Sequence, residues 1–264
     1  MVQLKHDPYG DFQCTHIKGV PVYLNNQMAG SEGWVAIRIL LRVGARHDPD
    51  HQLGLAHFFE HLPFDGCEGY PDFTTIRRVK EDLLIDTLNA STSFDRTSFG
   101  GTVLASRLNQ AGDFFSNFVV RPNLNPTEVA RERRVIVNEM WQKFNSPANA
   151  KHIRRVRKEL FGDHPLGRAA SPFGWPDTIK DIGVDDLRYF HKKYYHRGNL
   201  SLVMVGGGIP EIELVTVATT IISEFPKSGE VIEHPSRPSF GLYLSPRAIR
   251  SRPASWALSA VNKP

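Results

Sequence analysis

The chain has 264 residues, 41% of them hydrophobic and 23% charged, which is enough apolar material for a sizeable core and excludes a fibrous or wholly disordered chain. A net charge of +4 is only mildly basic, and the densest basic stretch, 131–158, is interleaved with Glu132 and Glu139, so it reads as solvated helix faces rather than a nucleic-acid surface. Two cysteines, Cys14 and Cys67, make no disulfide framework, and without an apolar leader or a run of about 18 apolar residues the expectation is a cytoplasmic protein with no membrane span.

In chain order, residues 12–24 alternate loosely around Lys18-Gly19 and predict a hairpin. Residues 34–43, WVAIRILLRV, predict a buried strand, followed by a loop rich in Gly, Asp and Pro. Leu53, Ala56, Phe59 and Leu62 recur at helical spacing, and Asp65-Gly66 ends that helix. Asp72 is placed to cap a helix running to about Leu84. Strands are predicted over Leu88–Phe94 and Thr97–Leu104, and a helix from Ser106 to Val120, stopped by Arg121-Pro122. Pro126 opens a long helix to Phe144, because a proline in the first turn lacks only an N–H that has no partner there. Further helices are predicted over Asn149–Phe161, Val184–Tyr194 and Pro210–Phe225, and a strand over Leu200–Val205. Strands and helices mix without strict alternation, so the fold class is α+β, a mixed sheet with helices packed mainly on one face. Residues 1–228 read as one domain, and 229–264, rich in Pro, Ser and Arg, as a linker or arm with one candidate strand at 239–244.

The chemistry concentrates at His57-Phe58-Phe59-Glu60-His61. Histidines four apart on a helix share a face, so both imidazoles can reach one metal ion. Zinc takes imidazole and carboxylate ligands, and catalytic sites keep a position open for water. Glu60, close to the same face, is suited to take a proton from that water. The pentad alone is also compatible with a structural histidine pair. A third ligand is offered by Glu132 and Glu139, seven residues or nearly two turns apart in ARERRVIVNEMW. Val135, Ile136 and Met140 imply that this helix packs inward, where a glutamate is costly unless paired or metal-bound. For Glu132 an exposed position is equally compatible with the pattern.

Together with its surroundings, HFFEH resembles the inverted zinc motif of the pitrilysin, insulin-degrading enzyme and mitochondrial processing peptidase family. The resemblance is carried by GLAHFFEHLPFDG at 54–66, LNASTSFDRTSF at 88–99, ERRVIVNE at 132–139, HPLGRAASPFGWPDTIKDI at 164–182 and YFHKKYYHRGNLSLVMVGG at 189–207. It implies a processing-peptidase-like domain and a zinc-dependent endopeptidase, with His57, His61 and Glu139 as Zn2+ ligands and Glu60 as the catalytic base. Glu132 matches an acidic residue that supports the site without binding zinc. Asn89, Ala90 and Ser91 match an edge strand on which an extended peptide substrate lies. The family pairs the zinc-binding part with a second domain of the same fold, which implies a partner chain, or alternatively a homodimer. It also contains non-catalytic scaffold or core subunits, but those generally lose part of the zinc motif, which is intact here. Two departures touch no ligand: Ile85-Asp86-Thr87 stands where Gly-Gly or Gly-Ala is frequent, and Phe99 where Tyr is frequent.

Other signals read as structural. Gly206-Gly207-Gly208 lacks the third glycine of a dinucleotide fingerprint and reads as a tight strand-to-helix turn. Cys67 reads as a small loop residue rather than a thiolate ligand. His47, His51, His164, His191 and His196 read as surface or supporting residues.

Overall fold

The computed structural model describes residues 12–168, 171–227 and 229. The predicted arm and its candidate strand at 239–244 lie outside the described residues. Six strands form one mixed sheet: β1 (Gln13–Ile17), β2 (Val20–Asn25), β3 (Trp34–Leu41), β4 (Asp86–Thr92), β5 (Thr97–Leu104) and β6 (Leu200–Gly206), in the order β1-β2-β6-β3-β5-β4. Only β2 and β6 run parallel; every other neighbouring pair is antiparallel. The first hairpin turns at Lys18 and Gly19, with φ of 50° and 82°, the left-handed pair that matches the twist of the flanking strands.

The eight helices among the described residues are α1 (Leu55–His61), α2 (Phe73–Asp82), α3 (Leu108–Val120), α4 (Pro126–Phe144), α5 (Pro147–Phe161), α6 (Pro176–Ile179), α7 (Val184–Tyr194) and α8 (Glu211–Glu224). Two of their N-termini show the expected side-chain caps. The Asp72 side chain accepts from the Thr75 amide at 2.8 Å, and Asn125 accepts from the Thr127 amide at 2.9 Å ahead of Pro126. The four-residue α6 was absent from the periodic pattern, being too short to show one.

Strand alternation decides where the core lies. Val35, Ile37, Ile39 and Leu41 of β3, with Leu202 and Met204 of β6, are buried, while Ala36, Arg38, Leu40, Ser201, Val203 and Val205 between them are half-buried. The helices therefore cover one face, as expected, and α3 and α8 pack against each other there. A cluster from strands and helices forms the main core, and Met140, Phe144 and Ala150 form a smaller one where α4 meets α5.

The α4 stripe corrects one expectation. Val129, Glu132, Ile136, Met140 and Phe144 are buried, but Val135 is 43% exposed. Position 135 stands about 100° around the helix from 136, so it falls outside a stripe that repeats every three or four residues. The departure at 85–87 is also structural: the β4–β5 register shifts between Asp86 and Asn89, and Thr87 has a φ of 52°.

Candidate metal centre

The site forms where α1 crosses α4 beside the outer strand β4. Helix α1 has seven residues, six of them buried. Phe58 and Phe59 anchor it in the core, and Phe59 lies against the His191 ring of α7 at 4.9 Å between centroids. That packing turns His57, Glu60 and His61 towards α4. There, the Nε2 atoms of His57 and His61 are 3.3 Å apart. Glu139 Oε2 is 3.4 Å from the His61 Nε2 and 3.8 Å from the His57 Nε2. Zinc bonds of ~2.0–2.1 Å at tetrahedral angles separate donor atoms by about 3.4 Å, so this triangle has the size that a zinc ion requires. His57, His61 and Glu139 are the one group of three or more His, Cys, Asp or Glu able to hold a metal among the described residues.

Glu132 lies in the buried stripe of α4 and its Oε2 is 3.1 Å from the His61 Nδ1. It holds the back of an imidazole whose Nε2 faces the cluster, and in the neutral ring this contact selects the tautomer with its proton on Nδ1 and a free lone pair on Nε2. An exposed Glu132 is thereby excluded. Behind it stands Arg131, ion-paired to Asp65, to Glu128 at 2.9 Å and to Glu132 at 3.2 Å. Neither Arg131 nor Asp65 stood out in the sequence. Arg131 belonged to a basic run and Asp65 to a helix-stop dipeptide, yet Asp65 is buried. The Glu128–Arg131 spacing of three was the available signal.

Electrostatics separate the two imidazoles. Burial and the neighbouring His61 push His57 below its ordinary value, against the pull of Glu139. Burial acts in the same direction on His61, but Glu132, Glu139 and Glu60 outweigh it and raise that ring to about 9. Without metal, burial therefore favours the neutral form of His57, while the carboxylates around His61 favour its charged form. The hydrogen bond from His61 lowers Glu139 despite its partial burial. Burial raises Glu60, opposed by Thr92 and His61. One Glu60 oxygen, Oε2, is buried without a hydrogen-bond partner.

These groups open into a cleft of about 450 Å³ that also meets Phe64, Phe73, Asn89 and Ala90. Phe73 is 54% exposed at its lip. Among the described residues β4 is the last strand of the sheet and pairs only with β5, which leaves its other backbone edge without a strand partner there. Of the three predicted edge residues, Asn89 and Ala90 line the cleft, whereas the Ser91 hydroxyl bonds Ser98 across the sheet at 2.7 Å. Cys67 is buried, and burial pushes its thiol up to about 12, which leaves it inert. His196 is fully buried rather than superficial, its ring capping the turn at 196–199. No helix among the described residues is long and apolar enough to cross a membrane.

Comparison with known proteins bears on the family and the fold. A family model described as insulinase, peptidase family M16, matches residues 27–171, and a second, described as the peptidase M16 inactive domain, matches 181–254. An uncharacterized zinc protease of Rickettsia felis is 26% identical over 201 residues, covering 74% of this chain and 46% of the relative. A probable mitochondrial-processing peptidase subunit beta of Arabidopsis thaliana is 28% identical over 181 residues, covering 68% of this chain and 33% of the relative. The crystal structure of the first half of the periplasmic protease PqqL from Escherichia coli superposes with a TM-score of 0.72 at 23% identity, over 86% of this chain and 49% of that one. The chain thus spans about half or less of the length of these relatives. With the first family model covering more than half of its residues, the chain belongs to peptidase family M16, the insulinase family of zinc proteases.

Proposed function

We propose that this chain is the zinc-binding, water-activating part of a metalloendopeptidase that hydrolyses peptides or unfolded protein segments. The observation that carries this reading is the triangle of His57, His61 and Glu139 with Glu60 beside it in a cleft bordered by a free strand edge. His57, His61 and Glu139 would hold a zinc ion, which when bound would supply a Lewis acid able to polarise a carbonyl and acidify water. Glu60 accepts the proton as the water oxygen bonds to the carbonyl carbon. Burial raises Glu60 and so makes it a stronger base than an exposed carboxylate. When the C–N bond breaks, Glu60 delivers that proton to the departing amine. Glu132 holds the His61 ring in the tautomer that the site needs. The outer edge of β4 at Asn89, Ala90 and Ser91 binds the substrate backbone as an added strand.

On this reading residues 1–228 form the catalytic domain and 229–264 a linker or arm. The active assembly includes a second unit of the same fold, supplied by a partner chain or, alternatively, by a second copy of this chain. A non-catalytic scaffold is the competing reading, favoured by the match of 181–254 to an inactive-domain model. The complete ligand and base set favours the enzyme.

Glu60→Gln decides between them. The amide fills the same space but cannot accept the proton, so the variant is expected to bind zinc as the wild type does and to lose peptide cleavage in whichever assembly is active. Undiminished cleavage of a peptide mixture by the variant would refute Glu60 as the base, and absence of zinc from the wild type would refute the site.

A further inference from the structure

Asp48 stands outside the zinc cluster and outside the pentad that marks it. It follows the turn at Ala45–His47 and is only 1% exposed. Its Oδ2 accepts from the Gly54 amide at 2.8 Å and its Oδ1 from the Ala56 amide at 2.9 Å. Both donors belong to the start of α1. That helix has no local cap: Gly54 is its N-cap residue with no side chain to offer, and no acidic residue lies in its first turn. Orphan N–H groups that a neighbouring Ser, Thr or Asp ordinarily serves are served here from six and eight residues upstream.

The remaining sides of this helix start are equally constrained. Gly54 has a φ of 103°, and a Cβ there would come within 2.8 Å of the Phe173 carbonyl oxygen. The Thr178 hydroxyl donates to the Leu53 carbonyl at 2.7 Å. Seven residues are too few to form a stable helix alone, so these contacts decide where α1 begins. That start matters because His57, Glu60 and His61 follow within seven residues of Gly54, and one residue of slippage would rotate them by about 100°.

We propose that Asp48 is a positioning residue for the metal centre: by clamping the first turn of α1 it fixes the rotation and depth at which His57 and His61 meet Glu139. The inference rests on the proposed zinc site. Burial raises the Asp48 carboxyl, but the Gly54 and Ala56 amides and the Arg168 charge pull the other way, and the geometry, with an amide donated to each oxygen, is that of a carboxylate. Asparagine at this position has nearly the same shape but retains one acceptor oxygen and turns an NH2 towards an N–H.

The test compares wild type, Asp48→Asn and Asp48→Glu at a temperature where all are folded by circular dichroism. Zinc affinity is read by chelator competition, and ligand geometry from the visible d–d bands of the cobalt-substituted proteins. The expected result is about tenfold or greater loss of zinc affinity in Asp48→Asn, with altered cobalt bands, and at least partial recovery of both in Asp48→Glu. A purely structural role would lower the unfolding temperature and leave affinity and bands unchanged in the folded protein. That result would overturn the proposal while leaving the zinc site intact; a wild type that binds no zinc would overturn the site itself. If Asp48→Asn does not fold, hydrogen exchange on the wild type decides. Coupling between clamp and metal is reciprocal, so zinc must slow exchange of the Gly54 and Ala56 amides by about fivefold or more beyond its effect on α8. Equal protection with and without zinc overturns the proposal.

Discussion

At the scale of single residues, the centre depends on charges that are paired before any metal arrives. Glu132 spends one oxygen on the His61 Nδ1 and the other on Arg131. Replacing it by alanine leaves the His61 ring without its orienting partner. Glu132→Ala is expected to weaken zinc binding by about 10–100-fold, measured by chelator competition, and a change below about twofold would show that the contact is dispensable. The same pairing predicts a pH effect. Burial alone would lower His61, but its carboxylate neighbours raise it from the ordinary 6.5 to about 9. In the zinc-free protein the protonated ring therefore adds stability that is fully present below the ordinary imidazole value and is lost as pH rises through the raised one. Zinc requires the neutral ring and must displace that proton. Titration calorimetry near neutral pH in buffers of different ionisation enthalpy is expected to show release of about one proton per zinc bound. Heats independent of the buffer would show that His61 is already neutral.

At the scale of elements, α4 carries the design of the site. Its buried stripe repeats every three or four residues through Val129, Glu132, Ile136, Met140 and Phe144, and Glu139 lies just beside it, half-exposed at the cleft. The helix thus grips the core with a stripe that includes Glu132 and runs beside Glu139. Ile136→Ala, at a fully buried position, is expected to cost about 2–5 kcal/mol in chemical denaturation. Val135→Ala, one residue away and 43% exposed, should stay within about 0.5 kcal/mol of wild type. Equal losses at the two positions would contradict the orientation of α4 and with it the placement of Glu139.

At the scale of the molecule, the cleft among the described residues is lined by α1, α4, α2 and the β4 strand. On the proposed reading α1, α4 and the β4 edge would supply ligands, base and a backbone rail, while the chain covers 46% of one relative and 33% of another. Holding a substrate in register with an activated water can supply several kcal/mol of the barrier reduction, and a rail on one side does only part of that. The chain alone is expected to cleave peptides poorly and to gain turnover on co-expression with a second chain of similar fold. Light scattering with cleavage assayed across the fractions checks this, and full turnover by a strict monomer would refute it.

What the sequence determined by itself is local. The β-rich, mostly apolar runs WVAIRILL and LSLVMV marked two central strands, and the spacing of His57, Glu60 and His61 put two imidazoles and a carboxylate close to one helix face whatever else the chain did. The seven-residue step from Glu132 to Glu139 likewise aligned two carboxylates before any partner for them was known. The sequence could not decide which of the two faced inward, because a periodic stripe fixes a helix face only to within a neighbouring position, as Val135 shows. Contacts between segments far apart in the chain belong to the tertiary structure: the parallel pairing of β2 with β6, the meeting of α1 with α4, Arg131 closing on Asp65, and Asp48 capping a helix that it does not adjoin. The reason is physical. Backbone periodicity and capping act over a few residues and leave a mark in the order of amino acids, whereas burial of an isolated charge such as Asp65 or Asp48 is tolerable only once the folded chain has brought a partner to it.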